Sequence, residues 1–204
     1  MNIDKWNILL DTLQQEFVRE NIDFVDGYIK LLKKVAPPSE FPRLLDIGVG
    51  EGPKEVARLR SEGYRVTGIT IQPWMLATDI LLMDMHDQTF APESFDVAYA
   101  TQVFEHSYAP WLALMETWVT LKSKGILFIS VPPAGDWPSV HHPSQFDVEA
   151  WRYMFNQTGF SVVLAGGAEL GNETCVIIAG EKSEPPDPHV FDALKRLRGM
   201  RERG

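Results

Sequence analysis

The chain has 204 residues, of which 45% are hydrophobic and 23% charged, and its formal net charge is -9 at pH 7. These values are typical of one well-buried globular domain with appendages. The acidic balance argues against a general nucleic-acid binder, because phosphate binding needs a basic surface. The single Cys175 excludes an internal disulfide and is expected to be a buried packing residue. With no signal-peptide pattern and no apolar run near the roughly 18 residues of a membrane span, we expect a cytoplasmic protein.

The first 36 residues show apolar side chains at helical spacing from Ile3 to Val35. We predict two helices, with a break near Asn21 or at Asp26-Gly27. This N-terminal helical cap (residues 1–36) would cover one face of a sheet, or alternatively close over a ligand pocket. The main domain would span residues 37–182. Residues 183–204 would form a proline-rich linker and a basic terminal helix, with a basic arm for an acidic partner as the alternative.

Strand-like and helix-like segments alternate from residue 43 onward. The helices predicted between the strands are Pro53 to Glu62, Ala109 to Leu121 and Val148 to Gln157. We expect Trp111 of the second of these to lie in the core, and Asp147 to cap the third. Alternation predicts a doubly wound, mostly parallel α/β sheet of seven strands, the last two forming an antiparallel pair across a glycine-rich loop at 166–171. The predicted strands are Arg43 to Ile47, Tyr64 to Ile71, Ile80 to Met85, Phe95 to Ala100, Gly125 to Val131, Phe160 to Leu164 and Thr174 to Ala179.

A glycine-rich turn joins the first strand to the first of these helices, in the pattern Asp46-x-Gly48-x-Gly50-x-Gly52, followed by Pro53. This arrangement brings backbone N–H groups and a helix N-terminus against a bound ligand. It differs from the dinucleotide fingerprint G-x-G-x-x-G, because Pro53 stands at the last glycine position.

The glycine pattern resembles the first motif of the class I S-adenosylmethionine-dependent methyltransferases, and further landmarks follow in order over roughly residues 40 to 180. They are Asp84-Met85-His86-Asp87, Phe90, Glu93-Ser94-Phe95-Asp96-Val97 and Val103-Phe104-Glu105-His106. The likeness is greatest to the small-molecule branch, the "type 11"-like methyltransferases. It implies a Rossmann-like fold and methyl transfer from S-adenosylmethionine to an O or N atom of a small polar acceptor.

The resemblance also implies a set of cofactor-binding residues. Asp46 would hold the glycine loop or accept from the cofactor's ammonium group. Asp84 would accept from the adenine amino group, unless it only caps a turn. The full implied set is Asp46, Gly48, Val49, Gly50, Gly52, Thr70, Gln72, Asp84, Met85 and Thr101.

Thr70 is the one departure from the resembled pattern, since that family usually carries Asp or Glu at the end of the second strand. A hydroxyl cannot replace a carboxylate's paired acceptors for the ribose hydroxyls, and charge-assisted hydrogen bonds are roughly twice as strong as neutral ones. We expect the Thr70 hydroxyl or the Gln72 carbonyl to contact the ribose with weakened affinity. The alternative is a chain that no longer binds the cofactor.

Histidines at strand ends are the candidate catalytic bases, because a hydroxyl or ammonium acceptor must lose a proton. They are His106, His141 and His142, although His106 could instead only bond to nearby backbone. Glu105, His141, His142 and Asp147 could in principle ligate a divalent metal, but adjacent histidines rarely point the same way, and we expect no metal. The expected acceptor contacts are Trp137, Glu105 and Tyr108.

Two other functions remain open at this stage. An NAD- or nucleotide-binding oxidoreductase would share the strand–glycine–helix arrangement, but the glycine spacing and the absence of an acid at residue 70 count against it. A non-catalytic binding module could retain the fold and use the basic tail to contact a partner.

Overall fold

A computed structural model describes Thr12, Gln15 and residues 24–50, 52–135, 141–170, 173–183 and 188–201. Its seven strands form one sheet in the order β3-β2-β1-β4-β5-β7-β6. Strands β1 to β5 pair in parallel, and β7 runs antiparallel to both β5 and β6, which confirms the predicted fold. The bounds are β1 Arg43–Ile47, β2 Arg65–Thr70, β3 Ile80–Leu82, β4 Phe95–Thr101, β5 Leu121–Val131, β6 Phe160–Leu170 and β7 Glu173–Lys182.

Five α-helices are described, and their termini follow local sequence signals. Helices α2 and α3 begin at a proline, which lacks the N–H that the first turn would leave unpaired. Helix α4 is capped as predicted: Asp147 Oδ1 accepts from the Ala150 N–H at 2.8 Å. The bounds are α1 Phe24–Val35, α2 Pro53–Ser61, α3 Pro110–Thr120, α4 Val148–Gln157 and α5 Pro188–Arg201.

The sheet carries an apolar core on each face, because successive strand side chains point to opposite sides. On one face Tyr28 and Leu32 of α1 lie in a buried cluster with Phe128 of β5. On the other, Trp151 and Phe155 of α4 are buried in the second cluster. Helix α1 thus packs against the sheet, while residues 1–11 of the predicted cap lie outside the described part. None of the described helices is long and apolar enough to cross a bilayer.

Several predicted boundaries were wrong. Helix α1 continues through Asp26-Gly27, where one break was expected; the other, at Asn21, lies outside the described residues. Strand β3 ends at Leu82 instead of Met85, because its neighbour β2 ends at Thr70 and offers no partner beyond it. Strand β6 extends through Gly166 and Gly167 to Leu170, because β7 supplies partners along this length.

Two single-residue expectations had opposite outcomes. Cys175 is completely buried, with Sγ 3.4 Å from the Ala168 carbonyl oxygen, which confirms the packing role. Trp111 was expected in the core, but it is 39% exposed and its ring meets Tyr153 edge to face. The helical periodicity of α3 indicated that Trp111 lies on the apolar side of the helix. It did not determine that this side chain lies at the edge of that side, next to solvent.

Candidate functional site

A cavity of about 780 Å³ opens at the carboxyl ends of β1, β2 and β4. Its position is the one at which open α/β sheets bind ligands, outside the strand ends where the chain order reverses. Its volume is in the range of about 300–1,000 Å³ typical of small-molecule sites. The sequence-predicted residues that line it are Gly48, Val49, Gly50, Thr70, Gln72, Asp84, Met85, His106, Tyr108 and His141.

The glycine loop after β1 is held by close backbone approaches. Gly48 has φ 76°, and a Cβ there would lie 2.5 Å from Val103 Cγ2. Its N–H donates to the Ile69 carbonyl at 2.9 Å. The Gly50 N–H donates to Glu55 Oε2 at 2.9 Å, and a Cβ on Gly50 would lie 2.7 Å from that oxygen. Glycine is therefore required at position 48, whereas a side chain at position 50 would displace the Glu55 carboxylate. Glu55 of α2 holds the loop, a role that the sequence did not reveal.

Asp46 lies beneath this loop at the end of β1, only 2% exposed. Its Oδ2 atom has no hydrogen-bond partner among the residues that the structure describes. Burial, together with the nearby Glu55 carboxylate, raises the pKa of Asp46 well above its usual value. Neither carboxyl group is among the cavity-lining residues, and the raised pKa favours the protonated, neutral form of Asp46.

The end of β2 presents neutral oxygen acceptors. Thr70 is 5% exposed, and its Oγ1 accepts from the Gln72 N–H at 3.1 Å, which closes a tight turn. The Gln72 side-chain Oε1 is buried, and the described part of the chain supplies no partner for it. Both residues line the cavity, so the Gln72 amide lies next to it with its oxygen buried.

Asp84, on the cavity wall, is fixed by a short chain of polar side chains. Its Oδ1 accepts from the His86 N–H at 2.8 Å and lies 2.6 Å from the ring nitrogen His86 Nδ1. The other ring nitrogen, Nε2, lies 2.6 Å from the hydroxyl of buried Ser107, whose Oγ also accepts from the Ala109 N–H. The sequence predicted Asp84 but gave no role to His86, which also lines the cavity.

His106 stands at the cavity wall next to a second histidine and a buried acid. Its Nδ1 lies 2.7 Å from the His141 carbonyl oxygen. A carbonyl only accepts, so Nδ1 carries the proton and Nε2 of the neutral ring is an acceptor. The His106 and His142 rings meet edge to face, with centroids 4.7 Å apart. Glu105 Oε1 lies 3.9 Å from His106 Nε2.

Glu105 is 1% exposed, and its burial raises the pKa of the carboxyl group to about 7. The atoms Glu105 Oε2 and His142 Nδ1 are both buried without a hydrogen-bond partner among the described residues. One ligand atom from each of Glu105, His106 and His142 falls within 4.8 Å of the others. We refer to these three residues as the Glu-His-His cluster.

Five other predicted residues do not line the cavity: Asp46, Gly52, Thr101, Glu105 and His142. Gly52 precedes α2 and Thr101 ends β4, and neither is among the lining residues. Trp137 lies outside the described residues, and Tyr108 is 84% exposed at the cavity edge. Sequence reasoning missed several lining residues, among them Ile71, Met83, His86 and Gln102. Their positions near strand ends were the signal that could have indicated them.

Comparison with known proteins gives one family match. Residues 45–129 match the family described as a methyltransferase domain. This match begins within β1 and ends within β5, so it contains the glycine loop and most of the cavity wall. No curated protein matches the chain in a sequence search.

Solved structures share the fold at low sequence identity. An N1-methyltransferase from Burkholderia thailandensis, with bound 1,6-didemethyltoxoflavin and S-adenosylhomocysteine, has a TM-score of 0.66 at 15% identity, covering 90% of this chain and 92% of its own. A protein from Bacillus halodurans assigned as a methyltransferase has a TM-score of 0.64 at 13% identity, covering 76% and 99%. A chain from the complex of the Haloferax volcanii Trm112 methyltransferase activator with its assigned methyltransferase has a TM-score of 0.62 at 16% identity, covering 72% and 84%.

Proposed function

We propose that this chain, which is a class I S-adenosylmethionine-dependent methyltransferase, transfers the methyl group to an oxygen or nitrogen atom of a small polar acceptor. The observation that carries this proposal is the cavity of about 780 Å³, which is lined by acidic and amide acceptors and by histidines. Its volume fits a cofactor together with a small acceptor.

The cofactor would lie across the ends of β1, β2 and β3. Its methionine ammonium group would approach Asp46 near the end of β1, and the bound cation would lower the raised pKa of Asp46 and favour the carboxylate. Gln72 Oε1, which lacks a partner in the described chain, would accept from a ribose hydroxyl. Asp84, held in place by His86, would accept from the adenine amino group. The Met85 N–H would donate to a ring nitrogen of the adenine.

The acceptor would enter from the His106 end. Methyl transfer is an in-line displacement, so catalysis depends first on holding the nucleophilic atom on the axis of the bond that breaks. The acceptor must also lose a proton, and the bare Nε2 of His106 is the basic atom that the hydrogen bond to His141 exposes there. The exposed ring of Tyr108, at the same edge, would form part of the acceptor site.

Calorimetric titration of the chain with S-adenosylhomocysteine and with NADH tests the cofactor site. We expect the sulfur ligand to bind and NADH not to bind. The reverse result would refute the proposal and favour an oxidoreductase.

Methyl transfer itself is tested with methyl-labelled S-adenosylmethionine and a panel of small hydroxyl and amine compounds. His106→Ala should lower turnover about 10²–10⁴-fold, the usual contribution of a general base, with unchanged cofactor affinity. His189→Ala is the matched control, since His189 lies on α5 and does not line the cavity. Equal turnover in both variants would contradict the role of His106.

A second candidate, a binding module that retains the cofactor without methyl transfer, is favoured by one observation. The neutral Thr70 stands where the resembled family places an acid, which weakens one anchor of the cofactor. Binding of S-adenosylhomocysteine without methylation of any compound in the panel would favour this module.

A further inference from the structure

The Glu-His-His cluster is the only group of three or more His, Cys, Asp or Glu ligand atoms at metal-binding distance in the described part of the chain. It combines two nitrogen donors and one carboxylate, at the His106 end of the cavity. Two imidazoles and one carboxylate form the ligand set of catalytic zinc and non-haem iron sites, whereas magnesium and calcium prefer oxygen ligands only.

Two buried atoms of this cluster lack a hydrogen-bond partner in the described part of the chain. Glu105 Oε2 and His142 Nδ1 are buried and unbonded among the described residues, and Glu105 is 1% exposed. Buried polar atoms are nearly always paired, because an unpaired one has lost its water contacts without replacement. A cation at this point would satisfy the carboxylate and the ring nitrogen together.

His106 has the hydrogen bond that orients a metal-binding histidine. Its Nδ1–H donates to the His141 carbonyl at 2.7 Å, which leaves the lone pair on Nε2. Metal-ligating histidines usually donate their other ring N–H to a carbonyl or carboxylate in this way, which fixes the tautomer and the ring plane. The His141 carbonyl is therefore a supporting group rather than a ligand.

We propose that Glu105, His106 and His142 bind a divalent transition metal, of the class of zinc, at the acceptor end of the cavity. At a metal–nitrogen distance of about 2.0–2.1 Å, tetrahedral ligand atoms stand roughly 3.3 Å apart. The three atoms, within 4.8 Å of one another, would close by up to about 1.5 Å through small rotations of the side chains. Three protein ligands leave a position open, as catalytic rather than structural sites do.

This role rests on the proposed methyl transfer, in which the acceptor would take the open position. With the metal bound, His106 Nε2 is a ligand and no longer a base, so the metal would activate the acceptor in its place. A hydroxyl bound to the metal would lose its proton to solvent more readily, because the cation stabilises the alkoxide or phenolate. The oxygen lone pair then forms the O–C bond to the methyl carbon as the C–S bond breaks. The electron pair of the broken C–S bond stays on sulfur, so the products are a methyl ether, S-adenosylhomocysteine and one released proton.

The test is titration of the full chain, stripped of metal by a chelator, with Zn²⁺ in calorimetry and with Co²⁺ followed by visible absorption. We expect about one metal per chain and Co²⁺ bands typical of four or five ligands. Glu105→Gln and His142→Ala should each weaken Zn²⁺ binding about 100-fold or more, at least the effect of losing a supporting group. His189→Ala, whose position lies on α5 and is not among the cavity-lining residues, is the control and should bind as the wild type does.

Absence of stoichiometric Zn²⁺ binding, or unchanged binding in both ligand variants, would overturn the metal site. Circular dichroism checks folding, and if Glu105→Gln fails to fold, the half-buried His142→Ala decides the outcome. S-Adenosylhomocysteine titrated into the metal-free chain separates the two proposals. Binding of zinc without the sulfur ligand would refute methyl transfer and keep the metal site, and the opposite result would refute the metal site alone.

Discussion

Replacement of Thr70 by Asp should tighten cofactor binding, with Thr70→Asn as the matched neutral control. Thr70 Oγ1 accepts from the Gln72 N–H at 3.1 Å. Either new side chain can accept that N–H with one oxygen, because Asp and Asn both form this type of turn. Asp also brings a second, charged oxygen to the end of β2, whereas Asn brings an amide nitrogen. The two variants therefore differ in charge and in one acceptor.

The size of the effect follows from the two classes of hydrogen bond. A neutral bond contributes about 0.5–1.5 kcal/mol net and a bond to a charged group about 1.5–3 kcal/mol. The difference is about 1–1.5 kcal/mol, or roughly 5–13-fold in affinity. Because Thr70 is 5% exposed, desolvation of the new carboxylate opposes part of this gain. We therefore expect about 5-fold tighter binding of S-adenosylhomocysteine to Thr70→Asp than to Thr70→Asn.

Calorimetry with S-adenosylhomocysteine and with its 2′,3′-dideoxy analogue measures this difference. The gain should disappear with the analogue, since it has no ribose hydroxyl to donate to the carboxylate. Equal affinity of the two variants for the natural ligand, or an equal gain with the analogue, would refute ribose recognition at residue 70.

The remaining predictions concern the same cavity. Gln72→Ala should weaken S-adenosylhomocysteine about 2–13-fold in calorimetry, the loss of one neutral hydrogen bond; unchanged affinity would exclude the amide from the ribose site. Because the pKa of Asp46 is raised, the folded state binds the Asp46 proton more tightly than the unfolded state does. The stabilisation that results from this tighter proton binding is complete below about pH 4 and is lost as the pH rises through the pKa of the folded state. Urea unfolding should thus show stability falling with pH relative to Asp46→Asn; parallel pH profiles would contradict the assignment. Gly48→Ala should lower the free energy of unfolding by about 2–5 kcal/mol, because it combines backbone strain with a clash against Val103. Gly135→Ala is the control for strain alone, since Gly135 has φ 90° and open space where its Cβ would lie, and it should cost about 1–2 kcal/mol. Equal losses in the two variants would show that the clash with Val103 does not contribute.

The sheet could be predicted from the sequence because its strands are apolar runs separated by helices, and local pattern determines both. Strand limits were less predictable, since they depend on the neighbouring strand. Gly166 and Gly167 look like loop residues in isolation, yet they pair with Ile177 and Val176 of β7. The end of β3 likewise depends on Thr70, the last residue of its partner.

That the glycine loop, Thr70 and Asp84 line one cavity was predictable for the same reason, because each follows a strand in the chain. Glu55 was missed because its function depends on the Gly50 N–H, five residues away across the loop. His86 was missed because the pattern Asp84-x-His86 has no meaning until Ser107 is brought against the ring.

The Glu-His-His cluster shows where sequence reasoning reaches its limit. The sequence suggested that His141 and His142 would point in different directions, and this counted against a metal. In the structure the His141 backbone carbonyl lies against His106 Nδ1, and the His142 ring lies beside the His106 ring. The proposed metal site would thus take one ligand and one orienting group from adjacent residues. That division of roles depends on a contact across 35 residues, which periodicity and spacing along the chain cannot encode.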